Sequence, residues 1–408
     1  MKCGLLGAKL GHSYSPQIHS HLGDYSYNLF EKSLDELESF LQSSDFTGIN
    51  VTIPYKSTVI PYCDELSPIA EKLGAVNVLV RREDGKLIGH NTDYFGFQTM
   101  LQRSELDVRG KKVLVLGTGG ASKTAVAVLQ DHGARVVTIS RSGEDNYSNL
   151  ERHGDASVIV NTTPVGMFPD TGVAPLSIDS FPKLEGVLDV IYNPARTQLV
   201  LAAEQRGIVA MNGLLMLVAQ AKEAAEWFTD KPITDSKIDK IYALLRKQME
   251  NIVLIGMPGS GKSTIGQMVA ERLGKEFIDL DVRIEEKAGC TIPEIFATQG
   301  ENGFRKLETT VLREIGNLSG KVIATGGGCV TREENYPLLH QNGTIFYLQR
   351  DIALLPTDGR PLSQANPLEE LYRTRKPLYE LFADHSIKNN TTADDAAEKI
   401  LSIWEERT

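Results

Sequence analysis

The sequence predicts an α/β protein whose sheets are largely parallel. Two glycine-rich turns each follow a short apolar run and precede a helical pattern. The apolar run and the turn together cover residues 113–120 in one case and residues 252–261 in the other. Further apolar runs of strand length lie between these turns, at residues 136–140, 158–161 and 186–191. Strands that alternate with helices in this way form parallel sheets joined by right-handed crossovers. With 408 residues, the chain has room for two or three such domains.

The first hundred residues show the same mixed pattern. Strands are predicted at residues 2–6 and 48–53, and helices at residues 15–22 and 34–41. The sequence therefore predicts a further α/β domain in front of the first glycine-rich turn.

Residues 113–122 read VLVLGTGGAS, which is a strand, a glycine-rich turn and the start of a helix. This order predicts a dinucleotide site whose pyrophosphate lies at the helix N-terminus, against Gly117, Gly119, Gly120 and Ala121. A turn that only packs a helix on a strand is the alternative. The next strand ends in Ser140 and Arg141. An arginine there suits the 2′-phosphate of NADP, whereas NAD would favour an acidic residue.

Two helices are predicted after the second group of strands. One covers residues 212–228, and the other begins at Asp235 or Ser236 and ends near Met249. Because the second helix runs directly into the strand at residues 252–255, no flexible linker is expected there.

Residues 256–264 read GMPGSGKST and predict a nucleoside triphosphate site. Gly259 and Gly261 let backbone N–H groups turn toward phosphate oxygens, and the helix that follows adds the positive end of its dipole. Lys262 is expected to reach the β- and γ-phosphates, and the Ser263 hydroxyl to bind Mg²⁺, with Thr264 completing the nucleotide site. A flexible loop with a solvated lysine is the alternative, but it would not need the flanking strand and helix.

Charge and cysteine content exclude several classes of partner. A formal net charge of −10 disfavours nucleic acids and anionic membranes. No apolar run is long enough to span a bilayer, and the glycine-broken N-terminus does not resemble a signal peptide. The four cysteines form no CxxC pair, so neither a zinc site nor a disulfide framework is indicated. We therefore expect a cytoplasmic protein that acts on small molecules.

Five polar motifs accompany the dinucleotide turn, in the order HSYSP (12–16), NVTIPYK (50–56), NTDYFG (91–96), NTTPVGM (161–167) and DVIYNP (189–194). Together with that turn they resemble shikimate dehydrogenase over about residues 1–249. Three positions depart from the family pattern. Val78 stands where threonine is usual, Ser140 where asparagine is usual, and no second basic residue follows Arg141 closely.

The resemblance implies that 3-dehydroshikimate is reduced to shikimate with NADPH. Hydride reduction of a ring ketone leaves an alkoxide that must be protonated, and a lysine with a carboxylate can supply the acid–base pair. By resemblance, Lys56 is the principal catalytic residue and Asp93 its partner at the reacting hydroxyl. The other implied substrate and cofactor positions are Ser13 and Ser15 at the substrate carboxylate, Thr52, Asn77, Tyr192 and Gln220 around the ring, and Gly213 beside NADP. Helix capping is the alternative role for the two serines.

In the last third of the chain, residues 277–281 read FIDLD and predict the end of a second strand. Alternation would place Asp279 and Asp281 on one face, where paired acids suit Mg²⁺ and a hydroxyl substrate. The motifs GFRKLE (303–308), TGGG (325–328), GRPL (359–362) and RKPLY (375–379) follow. With the phosphate loop, they resemble shikimate kinase over residues 251–408.

This second resemblance implies which residues bind shikimate: Asp281, Arg305, Gly327, Gly328 and Arg375. The arginines would clamp the substrate carboxylate in a bidentate manner. Arg360 would lie in a mobile lid and, with Lys262, act on the transferring phosphoryl group. Asp279 and Ser263 would hold Mg²⁺. The lid segment before Arg360 is short and lacks a basic residue.

The product of the first activity is the substrate of the second, so the two resemblances together imply a bifunctional enzyme. It would use NADP(H), ATP and Mg²⁺ in two consecutive steps toward chorismate. The expected domains are residues 1–100 with 213–249 for the dehydrogenase substrate, 101–212 for NADP in a Rossmann fold, and 250–408 for the P-loop kinase. Two alternatives stay open: a quinate/shikimate dehydrogenase that uses NAD, and a half that only binds a nucleotide.

Overall fold

A computed structural model describes residues 1–11, 13–43, 45–355 and 368–406. The backbone divides into two compact units. The first comprises Met1–Met167, Val173–Tyr192 and Leu199–Leu244, and the second comprises Phe168–Gly172, Asn193–Gln198 and Leu245–Thr408. Within the described ranges, no helix is both long enough and apolar enough to cross a membrane.

The first unit contains a mixed sheet of six strands. They are β1 (Lys2–Gly7), β2 (Ser26–Glu31), β3 (Gly48–Val51), β4 (Glu65–Leu66), β5 (Val78–Arg81) and β6 (Leu87–His90), in the spatial order β2-β1-β3-β5-β6-β4. Strand β5 pairs antiparallel with both β3 and β6. The carboxyl ends of β3 and β6 therefore lie at the same edge as the amino end of β5.

A second sheet in this unit is parallel throughout. Its strands are β7 (Lys112–Leu116), β8 (Arg135–Ile139), β9 (Val158–Asn161), β10 (Gly186–Asp189) and β11 (Val209–Met211), in the order β11-β10-β9-β7-β8. Strands β7, β9 and β10 are apolar along almost their whole length and are buried, which is typical of a parallel sheet covered on both faces.

Eight helices accompany these two sheets: α1 (Ser15–Ser20), α2 (Leu34–Gln42), α3 (Pro68–Leu73), α4 (Asp93–Arg103), α5 (Gly120–Asp131), α6 (Gln198–Gln205), α7 (Leu214–Thr229) and α8 (Ser236–Met249). Helices α4 and α7 pack closely against each other. A Cβ atom at Gly96 would lie 2.7 Å from the carbonyl oxygen of Met216, so glycine is what allows this approach. Both helices carry residues of the site described below.

The second unit contains a parallel sheet of β12 (Asn251–Ile255), β13 (Glu276–Asp279), β14 (Lys321–Ala324), β15 (Gly343–Gln349) and β16 (His385–Lys388), in the order β13-β14-β12-β15-β16. Its described α-helices are α9 (Lys262–Leu273), α10 (Leu280–Ala288), α11 (Ile292–Gly316), α12 (Asn335–His340), α13 (Leu368–Phe382) and α14 (Ala393–Glu406). Strand β12 is the middle strand of this order and is completely buried, so the phosphate loop that follows it lies at the middle of the sheet edge.

The end of helix α8 belongs to the second unit, where a lysine binds its last carbonyl groups. Lys275, in the turn before β13, donates hydrogen bonds from Nζ to the carbonyl oxygens of Lys247, Gln248 and Glu250, at 2.9, 3.1 and 3.0 Å. The last carbonyls of a helix have no partner within the helix, so a cation at this position satisfies them and complements the helix dipole.

The predicted fold class is confirmed, and the differences concern the first sheet and the ends of several elements. The first sheet is mixed, because β5 returns antiparallel between β3 and β6. The strand predicted at 48–53 ends at Val51, the strand predicted at 186–191 ends at Asp189, and the helix predicted at 15–22 ends at Ser20. At the two strand ends, the chain leaves the sheet where its polar motif begins to form a loop.

Candidate active sites

In the first unit, Lys56 and Asp93 form an ion pair. The Nζ atom of Lys56 lies 2.5 Å from Oδ2 of Asp93, and the side chains are 27% and 13% exposed. Lys56 belongs to the loop after β3, and Asp93 is the first residue of α4, directly after β6. The two residues meet because the carboxyl ends of β3 and β6 lie at one edge of the mixed sheet. The pair offers a proton donor and an acceptor to a small molecule.

Asn77 fixes the orientation of the Asp93 carboxylate. It precedes β5 at the same sheet edge and donates from Nδ2 to Oδ1 of Asp93 at 2.9 Å, which leaves Oδ2 for Lys56. Its own Oδ1 accepts from the backbone N–H of Thr92 at 2.7 Å. The Thr92 hydroxyl lies 3.4 Å from Oε1 of Gln220 on α7. Asn77 and Gln220 are thus brought to the predicted catalytic pair.

The remaining predicted substrate residues lie at the ends of neighbouring elements. The backbone N–H of Ser15 donates to Oγ of Ser13 at 3.2 Å, and neither serine is the N-cap of α1, which is Tyr14. The half-buried Thr52 follows β3 and donates its backbone N–H to Leu6 at 2.9 Å. The Tyr192 ring meets Tyr14 edge-on, with centroids 6.2 Å apart. Burial raises the pKa of Tyr192, so its hydroxyl stays protonated and can donate.

The dinucleotide turn joins β7 to α5. Gly117 has φ of +108°, and an added Cβ atom would lie 3.0 Å from Oγ1 of Thr162. At Gly119 and Gly120 an added Cβ would meet nothing within 4 Å, so the first turn of α5 is open to a ligand. Ser122 donates from Oγ to the carbonyl of Gly117 at 2.7 Å and stabilises the turn. This geometry fits a pyrophosphate bound by Gly117, Gly119, Gly120 and Ala121 at the helix N-terminus.

The loop after β8 is closed by Ser140, whose Oγ accepts from the backbone N–H of Gly143 at 2.8 Å. Arg141 is exposed beside it, and the carboxylate of Asp145 in the same loop is hydrogen-bonded to Nε2 of His153 at 2.9 Å.

Gly213, the predicted cofactor residue at the start of α7, is a packing position as well. A Cβ atom there would lie 2.0 Å from the carbonyl oxygen of Val190, so no side chain fits.

In the second unit, a cavity of about 610 Å³ opens over the carboxyl edge of the third sheet. It collects most of the residues predicted for the kinase half: Gly259, Gly261, Lys262, Ser263, Thr264, Asp281, Arg305, Gly327, Gly328 and Arg375. Residue Arg360, predicted to act on the phosphoryl group, lies outside the described residues.

The phosphate loop has the backbone that its glycines predicted. Gly256, Gly259 and Gly261 have φ of +148°, +81° and +93°, values that side-chain-bearing residues rarely adopt. The Nζ atom of Lys262 donates to the carbonyls of Gly256 and Met257, each at 3.0 Å, and so lies over the loop. Ser263 donates from Oγ to Oδ2 of Asp279 at 2.6 Å, which brings the two predicted Mg²⁺ ligands together.

The prediction that Asp279 and Asp281 share one face of a strand is wrong. Strand β13 ends at Asp279, which caps α10 by accepting the backbone N–H of Asp281 at Oδ1, at 3.0 Å. Asp281 belongs to the first turn of that helix and lines the cavity. Burial raises the pKa of Asp281, and the nearby Lys262 and Arg305 oppose that shift.

The predicted carboxylate clamp is built on close glycine contacts. Arg305 on α11 donates from Nη1 to Oε2 of Glu308 at 2.8 Å, and Glu308 is completely buried. A Cβ atom at Gly328 would lie 2.0 Å from Nη2 of Arg305, so this glycine admits the guanidinium. Arg375 on α13 donates from Nη1 to the carbonyl of Gly327 at 3.2 Å. Two arginines therefore meet at the glycine turn after β14.

Comparison with known proteins decides between the families that this geometry admits. Residues 5–79 match the family model of the shikimate dehydrogenase substrate binding domain, and residues 258–405 match that of shikimate kinase. The shikimate dehydrogenase (NADP(+)) of Clostridium perfringens is 36% identical over 265 residues, which cover 60% of this chain and 97% of the relative. The chain belongs to the shikimate dehydrogenase family. A shikimate kinase domain is fused to it in the same chain.

Two solved structures extend the likeness to the shikimate dehydrogenase fold. Shikimate dehydrogenase 1 from Peptoclostridium difficile is 37% identical with a TM-score of 0.55, and the match covers 60% of this chain and 97% of that one. Shikimate 5-dehydrogenase from Thermus thermophilus, solved in complex with NADP(H) and shikimate, is 29% identical with a TM-score of 0.55. That match covers 59% of this chain and 98% of the other.

Sequence reasoning missed residues in both the dehydrogenase and the kinase site. Asn50, at the end of β3, accepts the Tyr27 hydroxyl at 2.8 Å and lies 3.5 Å from the carbonyl of Asn77. Glu308 holds Arg305 in the kinase cavity. Its signal was present, because an acid three residues after an arginine on a helix is placed to pair with it. Asn50 had no such signal beyond its place in a motif.

Proposed function

We propose that this chain reduces 3-dehydroshikimate to shikimate with NADPH and then phosphorylates the 3-hydroxyl of shikimate with ATP and Mg²⁺. The observation that carries the first step is the Lys56–Asp93 pair, at 2.5 Å and held by Asn77. The second step is supported by a cavity that joins a phosphate loop to Asp281 and two arginines. We also propose a cytoplasmic location, from composition alone, and the three predicted domains stay a prediction.

In the reduction, NADPH supplies the hydride that reaches the carbonyl carbon. The ammonium group of Lys56 donates a proton to the oxygen that becomes the new hydroxyl, and its charge stabilises the developing alkoxide. Asp93 accepts a hydrogen bond at the same hydroxyl and holds Lys56 in place. Ser13 and Ser15 bind the substrate carboxylate, while Thr52, Asn77, Tyr192 and Gln220 orient the ring.

In the phosphorylation, the oxygen of the shikimate 3-hydroxyl attacks the γ-phosphorus, and Asp281 accepts the proton that this hydroxyl loses. Arg305 and Arg375 hold the shikimate carboxylate, and Lys262 binds the phosphates. Ser263 and Asp279 would hold Mg²⁺. Among the described residues, no group of three or more His, Cys, Asp or Glu side chains is poised to hold a metal. Mg²⁺ takes few protein ligands and keeps several waters, so Ser263 and Asp279 would suffice as its ligands from the protein.

A coupled assay tests the proposed function. The full chain would be supplied with 3-dehydroshikimate, NADPH and MgATP, and shikimate 3-phosphate would be detected. We expect one phosphorylated product per NADPH oxidised once shikimate reaches a steady state. Accumulation of shikimate without phosphorylation would show that the kinase half only binds nucleotide. Consumption of ATP only when shikimate is added would show that the dehydrogenase half does not reduce 3-dehydroshikimate.

Cofactor choice gives a separate prediction. Arg141 is exposed beside the cofactor turn and supplies a charge-assisted contact to the 2′-phosphate, worth roughly 1.5–3 kcal/mol. Arg141→Ala should therefore raise the KM for NADPH about tenfold or more and leave the KM for NADH nearly unchanged. Arg152→Ala, at a basic residue in the short helical turn of residues 150–153, is the matched control. Equal use of NADH and NADPH by the unmutated chain would favour the NAD-dependent alternative.

The acidic net charge predicts that shikimate equilibrates with solvent between the two steps, because an acidic surface does not guide an anionic intermediate. The coupled reaction would be run from labelled 3-dehydroshikimate with excess unlabelled shikimate. Strong dilution of label in early shikimate 3-phosphate is expected. Undiluted label would demonstrate direct transfer.

A further inference from the structure

Arg350 lies beside the phosphate loop, although no motif of the sequence contains it. It follows β15 directly, and β15 pairs in parallel with β12, the strand that runs into the loop. Ile255 at the end of β12 is opposite Tyr347, so a residue three positions beyond Tyr347 is at the level of the loop. Arg350 lines the kinase cavity together with Gly259, Lys262 and Ser263.

The guanidinium of Arg350 has unused hydrogen-bonding capacity. Its Nε atom is buried and has no hydrogen-bond partner within the described ranges. Arg305 in the same cavity also has a buried Nε without a partner, but its Nη1 is paired with the carboxylate of Glu308, and Nη1 of Arg375 donates to a carbonyl. A buried guanidinium N–H without an acceptor costs free energy, and an anion with suitably placed oxygens removes that cost.

The strand order separates two anions that this arginine could meet. Asp281, Arg305, Gly327 and Gly328 follow β13 and β14, on one side of β12 in the order β13-β14-β12-β15-β16. Arg375 is on the helix after β15, but its Nη1 donates to the carbonyl of Gly327 after β14, so it joins them on that side. Arg350 follows β15, on the other side. The same side holds Asn389, which donates from Nδ2 to the carbonyl of Ser260 at 2.7 Å and so supports the phosphate loop. Arg350 is therefore on the nucleotide side of the cavity.

We propose that Arg350 binds phosphate oxygens of the nucleoside triphosphate. The proposal rests on the kinase function proposed above and adds a nucleotide-binding cation to it. A planar guanidinium can donate two parallel hydrogen bonds to a phosphate, which a lysine cannot reproduce. The sequence just before Arg360, residues 354–359, contains no basic residue, so a cation at the end of β15 would add a positive charge that this stretch does not supply.

Steady-state kinetics of the full chain tests the proposal. Arg350→Gln should raise the KM for MgATP about tenfold or more and leave the KM for shikimate within about twofold, since the lost contact is to nucleotide alone. Arg350→Lys should give an intermediate KM for MgATP. Inhibition by inorganic tripolyphosphate should weaken by a similar factor in Arg350→Gln, because the contact is to phosphate and not to the base.

Arg283→Gln is the matched control, since Arg283 is exposed, pairs with Glu276 and Glu286, and does not line the cavity. An unchanged KM for MgATP, a rise confined to the KM for shikimate, or unaltered tripolyphosphate inhibition would overturn the proposal. If Arg350→Gln does not fold, judged by its melting curve and dehydrogenase activity, Arg350→Lys decides. If the unmutated chain fails to phosphorylate shikimate, the proposed function is wrong, and calorimetric titration of ADP into both chains still tests Arg350.

Discussion

Replacing Lys56 with methionine should lower the kcat for reduction of 3-dehydroshikimate by about 10²-fold or more, the usual scale for a positioned acid–base group. Methionine has a similar length and no proton to donate, so the alkoxide formed by hydride transfer loses both its charge partner and its acid. The measurement is the loss of NADPH absorbance at saturating substrate. Because Lys56 is paired with Asp93, the variant also leaves that carboxylate without its cation.

Two controls separate this effect from general damage to the protein. The kinase activity of Lys56→Met should equal that of the unmutated chain, since the two sites belong to different compact units. Lys72→Met removes another lysine–aspartate pair, with Asp131, from a more exposed position, and should retain normal reduction. A Lys56→Met enzyme with near-normal turnover would remove Lys56 from the catalytic role.

Replacing Asp281 with asparagine should lower the kcat of the kinase by about 10²-fold or more, because the amide keeps the shape of the side chain but cannot accept the substrate proton. The pH profile adds a second readout. Burial raises the pKa of Asp281, so kinase activity should fall, as the pH is lowered, at a higher pH than an ordinary aspartate would give. The remaining kinase activity of the variant should lack this fall at low pH, the acid limb of the pH profile.

The matched control for Asp281 is Asp394→Asn, at an exposed acid that pairs with Arg272 on the surface. It should retain both kcat and the acid limb. The dehydrogenase activity of the Asp281 variant should also be unchanged. An Asp281→Asn enzyme that keeps an unaltered acid limb would show that another group titrates in the kinase reaction.

The elements that sequence predicted well are those whose apolar residues are buried. Strand β9 is completely enclosed and its predicted bounds agree with the structure, as does the end of helix α8 at Met249. Strand β2 was missed because it lies at the sheet edge with mostly exposed side chains, so it carries no apolar pattern. A periodic apolar pattern arises from burial of one face of a strand. An edge strand that is held mainly by backbone hydrogen bonds lacks this pattern and cannot be predicted from it.

The candidate sites also differ in how far the sequence predicted them, according to whether their residues are neighbours in the chain. The phosphate loop and the dinucleotide turn are local, so a strand, a glycine turn and a helix were enough to predict them. The Lys56–Asp93 pair depends on the antiparallel return of β5, which no local pattern shows, and only the family resemblance indicated it. Asp281 was assigned to a strand because alternation was extended past Asp279. There the Asp279 side chain accepts the backbone N–H of Asp281 and begins a helix instead.

The three hydrogen bonds of Lys275 determine where the two enzymes could be cut apart. A kinase gene that began at strand β12 would encode Lys275 without Lys247, Gln248 or Glu250, the residues whose carbonyls it binds. Its ammonium group would then lose those three acceptors. A free-standing kinase split from this chain must keep the last turn of α8 as its own first residues. The amino-terminal boundary of the kinase in this chain therefore lies within helix α8 and not at strand β12.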